Sequence, residues 1–132
     1  MADRLVMLAK GALTPEQLAE VEERISLPEH RDDEGPTRGW RTYSSGLYAF
    51  FQPDNGRLVA LVCGFEEARP GWWVDSAYRG QGYGGAVVDL LAARYKASGV
   101  TAIRWITIAT RDHRYDRQST RLAQRLRRHF EG

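Results

Sequence analysis

The sequence predicts an α+β fold: a mixed, mostly antiparallel sheet flanked by helices, with one strand–helix–strand crossover. Three observations carry that prediction. An early amphipathic helix is followed by two apolar runs joined by a turn signal. A third apolar run passes directly into a glycine-rich junction and a long helical pattern. A further strand and a last helix complete the crossover. The 132 residues fit a single domain spanning 1–132, long enough to bury a core without disulfides or metal.

Residues 4–8 (RLVML) form a short apolar run that fits a first strand or the start of a helix. Thr14-Pro15-Glu16-Gln17 is a helix start: threonine caps, proline suits the first helical position, and glutamine three residues on closes a capping box. Leu18, Val21 and Ile25 recur at helical spacing, so a helix is expected over 15–26. Residues 28–39 (PEHRDDEGPTRG), with two prolines and two glycines, predict a mobile loop. Residues 46–52 and 57–65 predict a hairpin around the turn Pro53-Asp54-Asn55-Gly56. Arg69-Pro70-Gly71 breaks the chain before a short strand at 72–75. From Tyr83 to about Ala97 the pattern is helical, with Val87, Leu91 and Tyr95 on one stripe and Ser98-Gly99 as the stop. A strand at 102–109 and a helix at 116–130, marked by Leu122, Leu126 and Phe130, end the chain.

Composition narrows the function classes. No apolar run approaches the roughly 20 residues that cross a bilayer. The N-terminus lacks a secretory pattern, and Cys63 is the sole cysteine, so a cytoplasmic location without internal disulfides is expected. Cys63 itself fits a small buried hydrophobe. His30, His113 and His129 are too scattered for a metal site, and none is expected. The net charge of +2 does not by itself imply nucleic-acid binding, but the charge is unevenly spread. Arg114, Arg117, Arg121, Arg125 and Arg128 fall three or four apart and make one helical face basic. That face is either solvated or a contact for a 3′-phosphate, a nucleic acid or an acidic protein. One ring of the adjacent Trp72 and Trp73 should face the core and the other a cleft or dimer surface; Trp40 and Tyr43 are candidates for an acceptor pocket or plain packing.

The most informative stretch is VDSAYRGQGYGGAVVDLL, residues 74–91. A strand ends, glycines crowd the turn, and a helix begins. Helix starts leave amides unpaired and carry about half a positive charge. Glycines at 80, 82, 84 and 85 remove the Cβ atoms that would hold an anion away, and Arg79 adds charge at the rim. GQGYGG satisfies the dinucleotide fingerprint literally, but that site also needs an acid about 20 residues on, where SGVTAI has none. A phosphate-binding P-loop needs Gly-Lys-Ser/Thr after the turn, which is also missing.

This segment resembles the GCN5-related N-acetyltransferases, whose motif Gln/Arg-x-x-Gly-x-Gly/Ala follows a strand. Arg79, Gly82 and Gly84 fill the motif positions, while Ser76 stands where a proline is common. The resemblance covers residues 57–110 best. It implies an acetyltransferase that uses acetyl-CoA as acyl donor toward a primary amine on a small molecule, a protein or an aminoacyl-tRNA. It also implies that amides from Gln81 to Gly85, including Tyr83 and Gly84, hold the diphosphate beside Arg79 and Gly80. The strand at Trp73-Val74-Asp75 should pair with the pantetheine arm.

For catalysis the resemblance points to Glu66 or Glu67 as a base after the preceding strand, with a solvated acidic pair as the plain alternative. Asp75 fits a structural position better. The tyrosine that relatives carry in the last helix falls on Ala123 here, leaving Tyr115 as a substitute proton donor. The chain stops where relatives continue into two more strands, so a shortened C-terminus is expected, with a bare edge that a homodimer would cover. Two alternatives remain beside the enzyme: an acyl-CoA-binding regulatory protein without turnover, and a nucleic-acid- or protein-directed factor using the arginine helix.

Overall fold

The computed structural model describes residues 5–31, 36–42, 46–102 and 116–131. Four strands, β1 (Val6–Ala9), β2 (Tyr48–Phe51), β3 (Leu58–Cys63) and β4 (Gly71–Val74), form one sheet in the order β1-β2-β3-β4. Every neighbouring pair is antiparallel. The N-terminal apolar run is therefore a strand. The predicted partner strand of the crossover lies outside the described residues, apart from Ala102.

Helices cover both faces of the sheet. α1 (Pro15–Ile25) and α2 (Pro36–Thr42) lie on one side, where Val21, Ile25 and Trp40 pack with Ala49, Phe51, Leu61 and Trp73. α3 (Tyr83–Ala97) and α4 (Asp116–Arg128) lie on the other, where Val87, Val88, Leu91, Ala92, Tyr95 and Leu126 pack with Phe50, Ala60 and Val62. A strand buried from both sides needs no polar alternation, which is why Leu58–Val62 is apolar throughout and fully buried.

The start of α1 forms as its residues predict. The Gln17 amide donates to Thr14 Oγ1 at 3.2 Å, and the Thr14 amide donates to Gln17 Oε1 at 2.9 Å. The β2–β3 register slips once: Phe50 pairs with Ala60 but Phe51 with Leu58, so Val59 is the extra residue of a bulge. The carbonyl of Val59 then accepts the Asp75 amide at 2.8 Å and fixes where β4 leaves the sheet.

Two expectations need correction. The loop over 28–39 contains a 3-10 turn, Pro28–His30, and the first half of α2. Proline at 36 and glycine at 39 hide that helix from a composition argument, yet Trp40 is 1% exposed and belongs to the core. Lys10 Nζ lies over the Trp40 ring and donates to the Trp40 carbonyl, which pins α2 to the end of β1. Nor do Trp72 and Trp73 divide between core and cleft. Trp73 is buried on the α1–α2 side, and Trp72 is half-buried against the α3–α4 cluster, because both sides of the sheet are core. Tyr43 lies outside the described residues.

Candidate functional site

At the end of β4 the Asp75 carboxylate accepts the Ala77 amide at 3.0 Å and starts a 3-10 turn, Ser76–Tyr78. The chain then runs through Arg79–Gly82 into α3. Gly82 is the N-cap, at φ 89° and ψ 0°, and Gly80 sits at φ 75°, both in the left-handed region. A Cβ on either would meet nothing within 4 Å among the described residues. The first bond of the helix runs from the Ala86 amide to the Gly82 carbonyl at 3.3 Å. The amides of Tyr83, Gly84 and Gly85 have no acceptor inside the helix. Bare amides, the helix dipole and Arg79 at the rim together fit a diphosphate.

The other two glycines do different work. A Cβ on Gly84 would lie 3.2 Å from Leu122 Cδ1, and one on Gly85 would lie 2.8 Å from Arg125 Nη1. Their missing side chains admit α4, not a ligand. This corrects the expectation that all four glycines clear a path for an anion; the amides of 84 and 85 still open at the helix start, but their Cα faces belong to the helix pair.

The junction is braced from below by a network that spans distant segments. Arg24 Nε and Nη2 donate to Asp75 Oδ2 and Oδ1 at 2.7 and 2.9 Å. Burial alone would raise the Asp75 carboxyl, but the Arg24 guanidinium and the Ala77 amide outweigh it and hold the group below the usual carboxylate range. The buried His30 completes the brace. Its Nε2 accepts the Ser76 amide at 3.2 Å, so the network assigns the proton to Nδ1, which donates to the Arg24 carbonyl at 2.7 Å. Ser76 Oγ lies 2.9 Å from the same His30 nitrogen and donates to Glu29 Oε2 at 2.6 Å. His30 also meets Trp73 edge to face at 5.0 Å. Above the junction, Tyr83 Oη is 2.5 Å from its hydrogen-bond donor, Gln52 Nε2, and its ring meets Tyr78 at 5.2 Å.

Of these residues, the sequence pointed to Asp75, Ser76 and Tyr83 as part of the site. Ser76 was the available signal: a proline there has no N–H to give His30 and no hydroxyl for Glu29. Arg24, His30 and Gln52 left no local trace, being 51, 46 and 31 residues from their partners.

Main-chain direction along β4 follows from its register. Val74 pairs with Ala60, and the Asp75 amide points at Val59. In an antiparallel ladder successive residues alternate, so Trp73 and Asp75 direct their main-chain groups toward β3, whereas Trp72 and Val74 direct theirs away from it. Of the strand Trp73-Val74-Asp75 expected to pair with a pantetheine arm, Val74 alone directs its main chain away from β3. Its outward carbonyl accepts Arg79 Nε at 2.7 Å.

A model of the acetyltransferase (GNAT) family matches residues 15–126, from the start of α1 to the core residue Leu126 of α4. The chain belongs to the GNAT acetyltransferase family. No curated protein and no solved structure matches it significantly. In this GNAT domain Glu66 and Glu67 are exposed on the turn after β3, at the end of β4 opposite the glycine junction. The turn is held by Tyr95 of α3, whose Oη donates to the Phe65 carbonyl at 3.0 Å and whose ring stacks on Phe65 at 4.2 Å. Tyr115 lies outside the described residues, and Ala123 is buried at 2% exposure. The basic face of α4 is not a uniform stripe: Arg125 is ion-paired with Asp89 of α3, while Arg121 and Arg128 are exposed. Arg114 lies outside the described residues. Among the described residues no group of three metal-ligating side chains occurs, and no helix is long and apolar enough to cross a membrane.

Proposed function

We propose that this GNAT domain transfers an acetyl group from acetyl-CoA to a primary amine on a small molecule, a protein or an aminoacyl-tRNA. The observation that carries the proposal is the cradle at Gly80 and Gly82, where left-handed backbone and the helix-start amides meet beside β4, the last strand of the sheet among the described residues. The diphosphate would sit on the amides from Gln81 to Gly85 beside Arg79, and a pantetheine amide would bond the outward main chain of Val74. Four residues of β4 span about 13 Å. An arm extended along them carries the thioester from the glycine junction toward Gly71, where the turn bearing Glu66 and Glu67 ends.

The reaction itself needs a neutral amine. Deprotonating an ordinary alkylammonium of pKa near 10.4 at pH 7 costs about 4.6 kcal/mol, so a base is useful. Glu66 or Glu67 would take the proton as the amine nitrogen attacks the thioester carbonyl. The C–S bond breaks, an amide forms, and the departing thiolate takes a proton, for which Tyr115 is the candidate donor. Asp75 has no such role: it is buried, ion-paired and at the wrong end of β4. A homodimer covering the edge that the shortened C-terminus would leave bare, and a cytoplasmic setting, belong to the same proposal.

Calorimetric titration with acetyl-CoA tests the cradle, using Gly82→Trp against Gly56→Trp. Gly56 also has positive φ (69°) and open space, so it matches the strain without the site. Loss of binding confined to Gly82→Trp is expected; equal affinities would remove the basis of the proposal. Thiol release with an amine panel should fall by about 10²-fold or more in Glu66→Gln or Glu67→Gln. The buried Ala123 favours a second possibility, a coenzyme-binding regulatory protein without turnover. Its signature is tight acetyl-CoA binding with no thiol release toward any amine. A steep salt dependence of RNA affinity would instead favour a nucleic-acid-directed role for Arg117, Arg121 and Arg128.

A further inference from the structure

Gly85 lies within α3 and lacks the positive φ that would require a glycine. What its bare Cα admits is the Arg125 guanidinium, whose Nη1 would lie 2.8 Å from a Cβ. The pair that Arg125 makes there with Asp89 has side chains 50% and 38% exposed. Such exposed pairs add little to stability, and a glycine inside a helix takes a comparable amount away. Stability therefore does not account for an arginine seated on the first turn of α3.

The surroundings of that arginine suit an anion. Its Nε and Nη2 donate to Asp89 Oδ1 and Oδ2 at 2.9 and 2.6 Å, while Nη1 makes no bond among the described residues. Asp89 Oδ1 also lies 2.7 Å from His129 Nε2, so both carboxylate oxygens are engaged. Arg128 and His129 complete the lining of an open hollow of about 360 Å³. Two guanidiniums thus face one carboxylate, which leaves the hollow with a positive excess.

Resting on the acetyl-CoA assignment, we propose that this hollow is a phosphate-monoester subsite, in which Arg125 and Arg128 hold the nucleotide 3′-phosphate of the acyl donor. An α-helix rises about 1.5 Å per residue, so Asp89 stands about 6 Å beyond Gly85 along α3. That is the scale of one ribose, with the diphosphate on its 5′ oxygen at the helix start and the monoester on its 3′ oxygen beside the arginines. Guanidinium forks match phosphate geometry and stay charged. Donors carrying the 3′-phosphate gain charge-assisted bonds that 3′-dephospho donors lack.

The test is the ratio of affinities for acetyl-CoA and 3′-dephospho-acetyl-CoA, by calorimetry, in wild type, Arg128→Met and Gly85→Ala. Wild type should prefer acetyl-CoA by about tenfold or more, the worth of a hydrogen bond to a charged group. Arg128 is exposed, so Arg128→Met should fold normally and lose most of that preference. Gly85→Ala favours the helix but pushes the Arg125 guanidinium aside, so its preference should fall while thermal stability holds or rises. Any change at the diphosphate weakens both coenzymes together and cancels in the ratio. If wild type binds both alike, or the ratio survives both substitutions, the hollow is not this subsite, and the inference is wrong while the coenzyme assignment stands. If Arg128→Met weakens a single-stranded RNA while wild type binds the two coenzymes alike, the hollow serves a nucleic acid and the inference is likewise overturned. If wild type binds neither coenzyme, the coenzyme assignment fails and the inference with it.

Discussion

Two bidentate Arg–Asp pairs bracket the glycine junction, and they are chemically alike but physically different. Arg24–Asp75 lies before it, with side chains 21% and 0% exposed; Arg125–Asp89 lies after it, at 50% and 38%. Each spans sequence-distant elements, α1 to the end of β4 in the first case and α4 to α3 in the second. The His30 and Ser76 bonds extend the first, and His129 joins the second, its Nε2 lying 2.7 Å from Asp89 Oδ1. In the buried pair, losing one partner strands a charge away from water. In the exposed pair, water replaces whatever is lost. The same geometry therefore fixes the cradle on one side and only trims a helix contact on the other.

Breaking the buried pair should have the largest effect. Arg24→Met leaves Asp75 uncompensated and should cost about 3–5 kcal/mol, lowering Tm by about 10 °C or more in thermal melts. Replacing both partners, Arg24→Met with Asp75→Leu, should recover most of that loss, since no charge is then buried. The pH dependence sharpens the point. Asp75 and Asp89 are both held below the usual carboxylate range, Asp75 by the Arg24 and Ala77 bonds overcoming its burial and Asp89 chiefly by the Arg125 bond. A depressed carboxyl stabilises the fold above its unfolded pKa, near 3.9, and loses that contribution as pH falls through the lower folded value. Acid unfolding followed by circular dichroism should therefore begin below about pH 4 in wild type, and the stability gap between wild type and Arg24→Met should narrow as pH falls, because burial without Arg24 raises the Asp75 carboxyl and its protonation removes the stranded charge.

Gly84→Leu probes the region between the two pairs. It should cost about 1–3 kcal/mol by overpacking against Leu122, measured in urea melts. The smallest effect belongs to the exposed pair. Arg125→Met should cost less than about 1 kcal/mol, and the difference from wild type should shrink in high salt. A loss as large as that of Arg24→Met would overturn the contrast.

Much of the framework was legible because its signals are local. The Thr14–Gln17 box, the turn at Pro53–Gly56 and the stripe Val87, Leu91, Tyr95 each lie within a few residues or turns, and each forms as expected. α2 escaped because a helix of seven residues, begun by proline and interrupted by glycine, owes its stability to burying Trp40. The main-chain direction of β4 escaped because it depends on the register with β3 and on one bulge at Val59.

By itself, the sequence determined that a strand, a glycine turn and a helix start meet at residues 74–85, since capping, turn chemistry and periodicity are properties of neighbours along the chain. Only the tertiary structure decided which of the four glycines faces open space and which faces α4. It also decided that Asp75 answers to Arg24, and that Trp72 and Val74, not Trp73 and Asp75, turn their main chain away from β3. Those outcomes depend on contacts between residues tens of positions apart, whose pairing leaves no periodic mark in the sequence.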